Sequence, residues 1–364
     1  MSYGSYIDNQ LLIVLLLAIT PLWAAFFYLN KGNLLLLGHN HSSALINHSA
    51  PETSISPRYF FKLSTSVMLF TAIFSFNLKA YSGFTLFEQF NINPLGVGIF
   101  TFSVGCYAAL QLLLYFITNR SLIVSLEYVF CLSNFFLISP VLYLSANLYS
   151  FFFTLELVNV LIFLKFSSLQ LNSNLCKTNS SGKSTIRPIA AKTVTTLFIQ
   201  YWVSFFSSVF LITFIILTSF FFGTTSYLDL GVLSTIPDFS TSTVSSYFSS
   251  LWGFLLLVGF FLKAGMAPFH NFKTEIYKGL PLLTTFVYTF IFFITFFLYF
   301  VYLLLLCLPY VLVNNYVVLV AVLTFSILYL LSNLFSTKYI KSFLALSSVI
   351  NSLMLLIVAI SIAI

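Results

Sequence analysis

The stretch FFLKAGMAPFHNF, residues 260–272, carries a lysine, Lys263, within an otherwise apolar run. Gly265, Pro268 and His270 follow it within a few residues. An unpaired charge inside an apolar span costs at least about 2.5–3.5 kcal/mol on insertion scales, so such a charge needs a partner. Because proline removes a hydrogen bond within a helix and glycine softens the backbone, the stretch predicts a helix that breaks just after a buried amine. The alternative is an ordinary helix that ends at the proline.

The composition of the whole chain identifies the environment of this lysine. Hydrophobic residues make up 60% of the 364 residues, charged residues make up 6%, and the mean hydropathy is +1.03. Soluble domains average about 25% charged residues, so the chain is expected to be an integral membrane protein. The apolar runs are continuous and do not alternate as barrel strands do. We therefore predict an all-α, polytopic transmembrane helical bundle that forms a single domain, residues 1–364.

Ten apolar segments are long enough to cross a bilayer as helices. They are approximately 11–29, 59–79, 94–117, 122–146, 148–166, 195–222, 247–268, 281–307, 309–332 and 342–363. Three longer linkers, 30–58, 167–194 and 223–246, are rich in Ser, Thr, Asn, Gly and Pro and are predicted to be extramembrane loops. No basic region precedes the first segment, so we expect no cleavable signal peptide.

The distribution of basic residues tests the number of spans. If the ten segments alternate in direction, the loops after the odd-numbered segments lie on one face of the membrane, here called face A, and the other side is face B. Of the 15 Lys and Arg residues, all except Lys79 and Lys263 fall at face A. This asymmetry is the positive-inside pattern, so face A is predicted to be the matrix or cytoplasmic side. The net charge of +7 thus reflects topology, and we expect no nucleic-acid partner.

Three ionisable residues remain inside the predicted spans: Glu127, Glu156 and Lys263. With a rise of about 1.5 Å per helical residue, Glu156 lies roughly 13 Å from Lys165 at face A, and Lys263 lies roughly 15 Å from Lys273 at face A. An acid and an amine at matched depth can pair across a helix interface. Glu127 lies nearer to face A.

A pair between Glu156 and Lys263 would keep both side chains charged, whereas burial would disfavour each charge once the pair opens. Either group could then gain or lose a proton near neutral pH, which is the chemistry of a proton relay. The alternative is a static pair that fixes the register of two helices. Glu127 could feed protons in from face A or act as a hydrogen-bonded structural acid. His270 could transfer protons, or it could cap a helix or form a hydrogen bond in a loop.

Two motifs carry a resemblance to a known family. KAGMAPFHNFKTEIYKGLP, residues 263–281, resembles the signature of NADH dehydrogenase subunit 2 of respiratory complex I, in which a lysine precedes Gly-x-x-Pro-Phe-His. KSFLALSSVIN, residues 341–351, is similar to the family's motif before and within its tenth helix. That family has a glutamate in its fifth helix and a lysine in its seventh, and Glu156 and Lys263 occupy the corresponding segments here.

The resemblance implies a membrane-arm subunit in the mitochondrial inner membrane, which contributes a proton half-channel or its remnant to a proton-pumping NADH:ubiquinone oxidoreductase. Lys263 would be the switching amine, Glu156 its partner, and Glu127 and His270 accessory groups. The implied partners are the other membrane-arm subunits and membrane lipids. Flavin, iron–sulfur clusters and ubiquinone would belong to other subunits, and we expect no cofactor or metal site within this chain.

The sequence also departs from the family pattern. Phe293 stands where the family has a lysine in its eighth helix, and no charge lies within 281–307. In the second motif, Leu346 and Asn351 replace a tyrosine and a histidine. The family commonly continues to fourteen helices in bacteria, so we expect this chain to be truncated after about ten, with a separate chain as one source of the missing helices. A purely structural subunit and a subunit of a cation/proton antiporter remain as alternatives.

Overall fold

The protein is almost entirely helical, as predicted. The computed structural model describes residues 18–28, 57–75, 83–85, 89–121, 126–175, 187–235, 243–280 and 282–363. Within this part of the chain, the sheet consists of two short antiparallel strands, β1 (Gly83–Thr85) and β2 (Phe90–Ile92). The fold is thus an all-α bundle with one small hairpin-like sheet.

The helices are numbered here in chain order. The first seven are α1 (Ala18–Tyr28), α2 (Pro57–Ser75), α3 (Pro94–Ser121), α4 (Leu126–Ile138), α5 (Leu148–Leu175), α6 (Arg187–Phe222) and α7 (Tyr227–Thr235). The later ones are α8 (Thr243–Ala264), α9 (Asn271–Gly279), α10 (Leu282–Ile291), α11 (Tyr299–Tyr302), α12 (Pro309–Ser336) and α13 (Ile340–Ala363). A 3₁₀ turn, Ser139–Leu144, follows α4, and π-helical segments at Phe292–Leu298 and Leu303–Cys307 flank α11.

Six of the described helices are long and apolar enough to cross a membrane, so the chain is a multi-pass membrane protein. They are Pro94–Ile117, Glu127–Leu144, Phe198–Phe222, Thr284–Leu305, Asn315–Ser336 and Ile340–Ser361. Shorter apolar helices of 10–17 residues occupy Ala18–Tyr28, Tyr59–Ser75, Leu148–Leu164 and Gly253–Ala264. These helices overlap the ten predicted segments, and the number of ten spans stays a prediction.

Helix extends into the predicted linkers, so the helices are longer here than the apolar segments that predicted them. α5 continues to Leu175 and α6 begins at Arg187, so helix extends into both ends of the 167–194 linker. α7 lies within the 223–246 linker. The 28 residues of α5 make a helix of about 42 Å, whereas the hydrocarbon core of a bilayer is about 30 Å thick. α5 is therefore longer than a span requires, and its last residues fall in the predicted linker. The 30–58 linker lies outside the described residues apart from the first residues of α2.

The contacts divide the chain into two compact units. Unit 1 comprises Met1–Leu144 and Val160–Asn172, and unit 2 comprises Ser145–Asn159 and Ser173–Ile364. α5 contributes residues to both units. That the three linkers lie outside the membrane stays a prediction. That the chain forms a single domain also stays a prediction.

Unit 1 is held together by apolar packing and neutral polar contacts. Its core includes a cluster of buried aliphatic and aromatic side chains: Ile92, Val97, Phe100, Val104, Val141 and Leu144. Tyr107 of α3 stacks on Phe136 of α4 with ring centroids 4.8 Å apart. Between α2 and α3, the Gln111 Nε2 group donates a hydrogen bond to Ser64 Oγ at 2.6 Å. A neutral hydrogen bond therefore links the two helices of this unit.

Unit 2 is organised around the packing of α6 along α8. Gly259 allows the close approach, because a Cβ atom there would lie 3.0 Å from the Leu211 side chain of α6. Lys263 follows Gly259 by one helical turn, and Ser208 precedes Leu211 by almost one turn. The contact that needs the glycine thus brings these two polar residues to the same level of the α6–α8 interface.

Candidate functional site

The helix that carries Lys263 is broken directly after it, as predicted. α8 ends at Ala264, and Gly265 adopts a left-handed conformation with φ +62°. A Cβ atom on Gly265 would lie 3.1 Å from Lys273 Cδ and from the ring of Phe272, so the turn needs a glycine for both backbone and space. The helix stops before Pro268, which argues against an ordinary helix that runs to the proline.

Lys263 and Glu156 form an ion pair inside unit 2. The Lys263 Nζ group donates a hydrogen bond to Glu156 Oε1 at 2.9 Å. The Lys263 side chain is 2% exposed and the Glu156 side chain 34% exposed. The lysine side chain is therefore enclosed, whereas the glutamate side chain is partly exposed at the surface of unit 2.

Two neutral side chains complete the cluster around Glu156 Oε1. Ser208 Oγ lies 2.6 Å from that oxygen, and Lys263 Nζ donates to the same hydroxyl at 3.2 Å. The Asn159 side-chain amide donates to Glu156 Oε1 at 3.2 Å. Ser208 has one proton, which it can give either to Glu156 or to the Ser204 carbonyl oxygen at 2.8 Å. The hydroxyl can thus support the carboxylate or release it without losing a hydrogen bond.

Sequence reasoning did not identify Ser208 and Asn159. Asn159 follows Glu156 by three residues, so the two side chains share one face of α5. That spacing is a usable signal, since an amide one turn from a buried acid can support it. Ser208 has a weaker signal, because it stands among many serines of α6 and only the contact with α8 distinguishes it.

The other predicted site residues lie in different surroundings. Glu127 belongs to unit 1, where it is exposed in the first turn of α4. His270 is 2% exposed at the N-cap position of α9, and its side chain makes no capping hydrogen bond. Its ring lies 6.0 Å from that of Tyr329. Within the described residues, the cluster around Lys263 consists of Glu156, Ser208 and Asn159.

The stretch that follows α9 carries no charge, and the buried polar residues of its described part include Thr284, Thr285 and Thr295. Phe293, which stands where the family resemblance implies a lysine, is 41% exposed in the first π-helical segment. Thr295 in the same segment is 1% exposed, and its hydroxyl donates to the Ile291 carbonyl oxygen. Because the side chain at position 293 faces outwards, a lysine substituted there would not place an amine inside the bundle.

A second buried lysine lies on the other side of the break. Lys273 of α9 is 6% exposed, and its stem packs over Gly265. No carboxylate pairs with it in the described part of the chain. α9 lies outside the candidate membrane spans, and burial lowers the pKa of Lys273 from 10.5 to about 8. The signal was present in the sequence, because Phe272, Lys273, Ile276 and Tyr277 recur at helical spacing and are all buried.

The two motifs that carry the family resemblance meet in the structure. The Lys341 Nζ group at the start of α13 donates to the Leu280 carbonyl oxygen at 2.6 Å. The hydroxyl groups of Tyr277 and Ser348 lie 3.5 Å apart. α9 is thereby fixed against α13, which holds the broken end of the seventh predicted span in place.

The structure defines this chain as a polytopic, helical membrane protein, and similar folds occur in chains of several large membrane complexes. The chain is similar to one in respiratory complex I from Thermus thermophilus with bound aureothin, with a TM-score of 0.62 and 13% identity over 94% of this chain and 64% of that one. It is similar to a chain of the membrane-bound sulfane sulfur reductase, an archaeal respiratory membrane complex, with a TM-score of 0.64 and 12% identity over 95% and 64% of the two chains.

A third similar structure comes from the Mrp complex of Dietzia sp. DQ12-45-1b, with a TM-score of 0.59 and 16% identity over 83% of this chain and 31% of that one. At these identities the likeness is one of fold. The chain spans less than two thirds of the length of each of these three structural relatives.

Sequence comparison adds one relative and no family model. No protein-family model matches the chain. An uncharacterized mitochondrial protein, ORF4 of Paramecium tetraurelia, is 40% identical over 79 residues, which cover 21% of this chain and 49% of that protein. The matched stretch is thus about half of the relative's length and a fifth of this chain.

Proposed function

We propose that this chain is a proton-translocating membrane-arm subunit of a respiratory NADH:ubiquinone oxidoreductase in the mitochondrial inner membrane. The observation that carries the proposal is the buried Lys263–Glu156 pair at a helix break. The shared fold with a chain of a respiratory complex I and the mitochondrial relative both support it. So do the two sequence motifs, which resemble subunit 2 of that complex.

The pair has the chemistry of a proton-loading site. While Glu156 lies 2.9 Å from Lys263, the carboxylate favours the protonated amine. If Glu156 turns away, the ammonium stays in an enclosed site without a counter-charge, so release of its proton becomes favourable. Ser208 can follow either state, because its hydroxyl reaches both the carboxylate and a backbone carbonyl. Movement of one side chain thus couples to the loss or gain of one proton.

On the face-A side, His270 and Lys273 are the nearest candidates for proton exchange along the chain. Both are buried in or beside α9, beyond the break that follows Lys263. Glu127 is a candidate acid in unit 1, with an accessory role in proton uptake. In this proposal, flavin, iron–sulfur clusters and ubiquinone reside in other subunits, and the partners are further membrane-arm subunits, including a chain that supplies additional helices.

The test is the proton yield of the intact complex with Lys263→Met. Methionine keeps the length of the side chain and removes the exchangeable proton. We expect the complex to assemble on a native gel, with fewer protons pumped per NADH or slower ubiquinone reduction. Lys278→Met is the matched control, because Lys278 lies in the same motif with an exposed side chain paired to Glu275. Unchanged assembly, turnover and proton yield in the Lys263 variant would reject the proposal.

The second candidate function is a purely structural subunit of the same complex. It is favoured by the absence of charge in residues 281–307, which follow α9, where Thr284, Thr285 and Thr295 are buried and Phe293 faces outwards. That role predicts that Lys263→Met changes only assembly or thermal stability. Measuring assembly and proton yield in the same preparation therefore separates the two functions. An antiporter subunit would instead make the proton flux depend on sodium or potassium, which can be tested by measuring proton flux with the protein in lipid vesicles, with and without each ion.

A further inference from the structure

A layer of stacked aromatic rings closes unit 2 beside the ion pair. Phe151 of α5 stacks on Phe260 of α8 with centroids 5.6 Å apart and on Tyr299 of α11 with centroids 5.2 Å apart. Phe300 packs against Phe260 with ring centroids 4.8 Å apart. All four side chains are at most 1% exposed. The layer therefore leaves no room for water between these rings.

The hydroxyl group of Tyr299 emerges from this layer into a cluster of buried hydroxyls. It lies 3.0 Å from Ser145 Oγ and 3.3 Å from the Tyr227 hydroxyl. Ser145 precedes the first residue of α5, and Tyr227 is the first residue of α7. Because each hydroxyl can both donate and accept, the three groups form a chain along which a proton can pass.

The order of these features along the helices places the rings on the face-B side of the pair. Phe151 precedes Glu156 by five residues, or roughly 7 Å along α5, and Phe260 precedes Lys263 by three residues, or roughly 4.5 Å along α8. Both helices are predicted to run from face B towards face A. Ser145 and Tyr227 lie nearer still to the predicted face B. Tyr299 is thus the residue that belongs to both the ring layer and the hydroxyl cluster.

We propose that Tyr299 is a proton-transfer residue between the Lys263–Glu156 pair and face B, and that the Phe151–Phe260 stack is the barrier that closes this route. The inference rests on the proposed function of the pair and adds the residue on its far side. The Phe151 and Phe260 rings exclude water and offer no acceptor for a proton, so the route opens only when one of these rings moves and water enters.

The transfer through Tyr299 conserves protons and charge. A water molecule admitted beside the displaced ring brings the proton from the Lys263 ammonium to the Tyr299 oxygen. The Tyr299 O–H proton passes at the same time to the oxygen of Ser145 or Tyr227, and that hydroxyl gives its own proton to a water molecule on the face-B side. Lys263 is left neutral, each hydroxyl holds one proton before and after, and one proton has crossed.

The experiment measures passive proton flux through the full chain in phosphatidylcholine vesicles with an internal pH-sensitive dye and an imposed pH gradient. We expect a low flux for the natural sequence and a several-fold higher flux for Phe260→Ala, because removing the ring lets water through the layer. Adding Tyr299→Phe to that variant keeps the ring and removes the hydroxyl, so the flux should fall back. The matched control is Phe254→Ala, whose side chain on the same helix is 46% exposed and should leave the flux unchanged.

The outcomes separate this inference from the proposed function. An unchanged flux in Phe260→Ala, or a raised flux that Tyr299→Phe leaves unaltered, would overturn it. Phe260→Leu and Phe151→Leu serve as second variants, since they lose the ring but keep most of the volume, and incorporation into vesicles is checked before each measurement. The proton yield of the complex with Lys263→Met tests the role of the ion pair separately. That test can reject the proposed function while the flux measurements support the aromatic barrier, and the flux measurements can reject the barrier while the proton yield supports the pair.

Discussion

Both units join helices by neutral hydrogen bonds, but within the described residues unit 2 also has a buried ion pair. In unit 1, the helices α2 and α3 are joined by a neutral hydrogen bond from Gln111 to Ser64. In unit 2, the helices α5, α6 and α8 are joined by an ionised pair and the Ser208 hydroxyl between them. A neutral contact fixes helices at modest cost, whereas a charged one can change its protonation state. The difference indicates where in the chain proton chemistry is possible.

Stability alone does not account for the charged pair. Replacing a buried ion pair by apolar residues is often neutral or stabilising, whereas removing one partner is strongly destabilising. Unit 1 demonstrates that the same protein can join membrane helices without charge. The retention of Lys263 and Glu156 in unit 2 therefore favours a role for the charges themselves, and variants in matched positions of the two units can test this.

The largest expected effect is that of Glu156→Gln, which leaves the Lys263 ammonium enclosed without a counter-charge. Removal of one partner of a buried pair costs about 3–5 kcal/mol, and we expect the lower end because the Glu156 side chain is 34% exposed. The melting temperature of the purified protein should fall clearly. Glu127→Gln is the control in unit 1, where the acid is exposed, and its effect should stay within about 0.5 kcal/mol.

Equal melting temperatures for the two glutamine variants would contradict the contrast between the units. They would mean that the Lys263 ammonium is stable in its buried site without Glu156. Movement of Glu156 would then not drive the loss of a proton from Lys263. Proton yield measured in the same variants adds an independent readout, which a purely structural pair would not move.

The second prediction concerns Lys273, the buried lysine of unit 2 that has no acidic partner in the described residues. Because its pKa falls from 10.5 to about 8 on folding, the unfolded chain binds the extra proton between these values, and stability should rise with pH through that window. Below about pH 8 the buried charge destabilises the fold by about 3 kcal/mol, at about 1.4 kcal/mol per pH unit between the two pKa values. Lys273→Met should therefore stabilise the protein at pH 7 and give no gain above the upper value.

Lys62→Met in unit 1 is the matched control, because the Lys62 side chain is exposed and the substitution removes no buried charge. The measurement is the melting temperature of each variant against the natural sequence from pH 7 to pH 10.5, the ordinary pKa that bounds the window. A constant difference between Lys273→Met and the natural sequence across this range would show that the lysine is not desolvated in the folded protein.

Much of the fold follows from the sequence, because long apolar runs leave helices as the spanning elements, whereas the face marked by Lys and Arg stays a prediction. The pairing of Glu156 with Lys263 could also be anticipated, since two charges at similar depth in an apolar environment stabilise each other. The break at Gly265 followed from residue chemistry in the same way. These features depend on local pattern and depth, which a sequence contains.

Other features depend on tertiary contacts that a linear pattern does not reveal. Lys273 was counted among the basic residues of face A, whereas α9 folds against α6 and α13 and buries it. Ser208 acquires its importance only because Gly259 lets α8 approach α6. The inward or outward direction of Phe293 was likewise open, since a π-helical segment shifts the faces of the helix relative to a regular α-helix.

The smallest expected effect comes from the two serines that link helices in each unit. Ser64→Ala removes the acceptor of the Gln111 amide, a neutral contact, and should cost about 0.5–1.5 kcal/mol. Ser208→Ala removes a hydroxyl that binds both a carboxylate and an ammonium, and hydrogen bonds to charged groups are worth about 1.5–3 kcal/mol. Comparing both melting temperatures with that of Ser207→Ala, whose buried hydroxyl has no hydrogen-bond partner in the described residues, isolates the contribution of the contacts.

If Ser208→Ala and Ser64→Ala lose the same stability, the charged cluster does not extend to the serine. A larger loss at Ser208, together with a changed proton yield, would make the hydroxyl part of the switch.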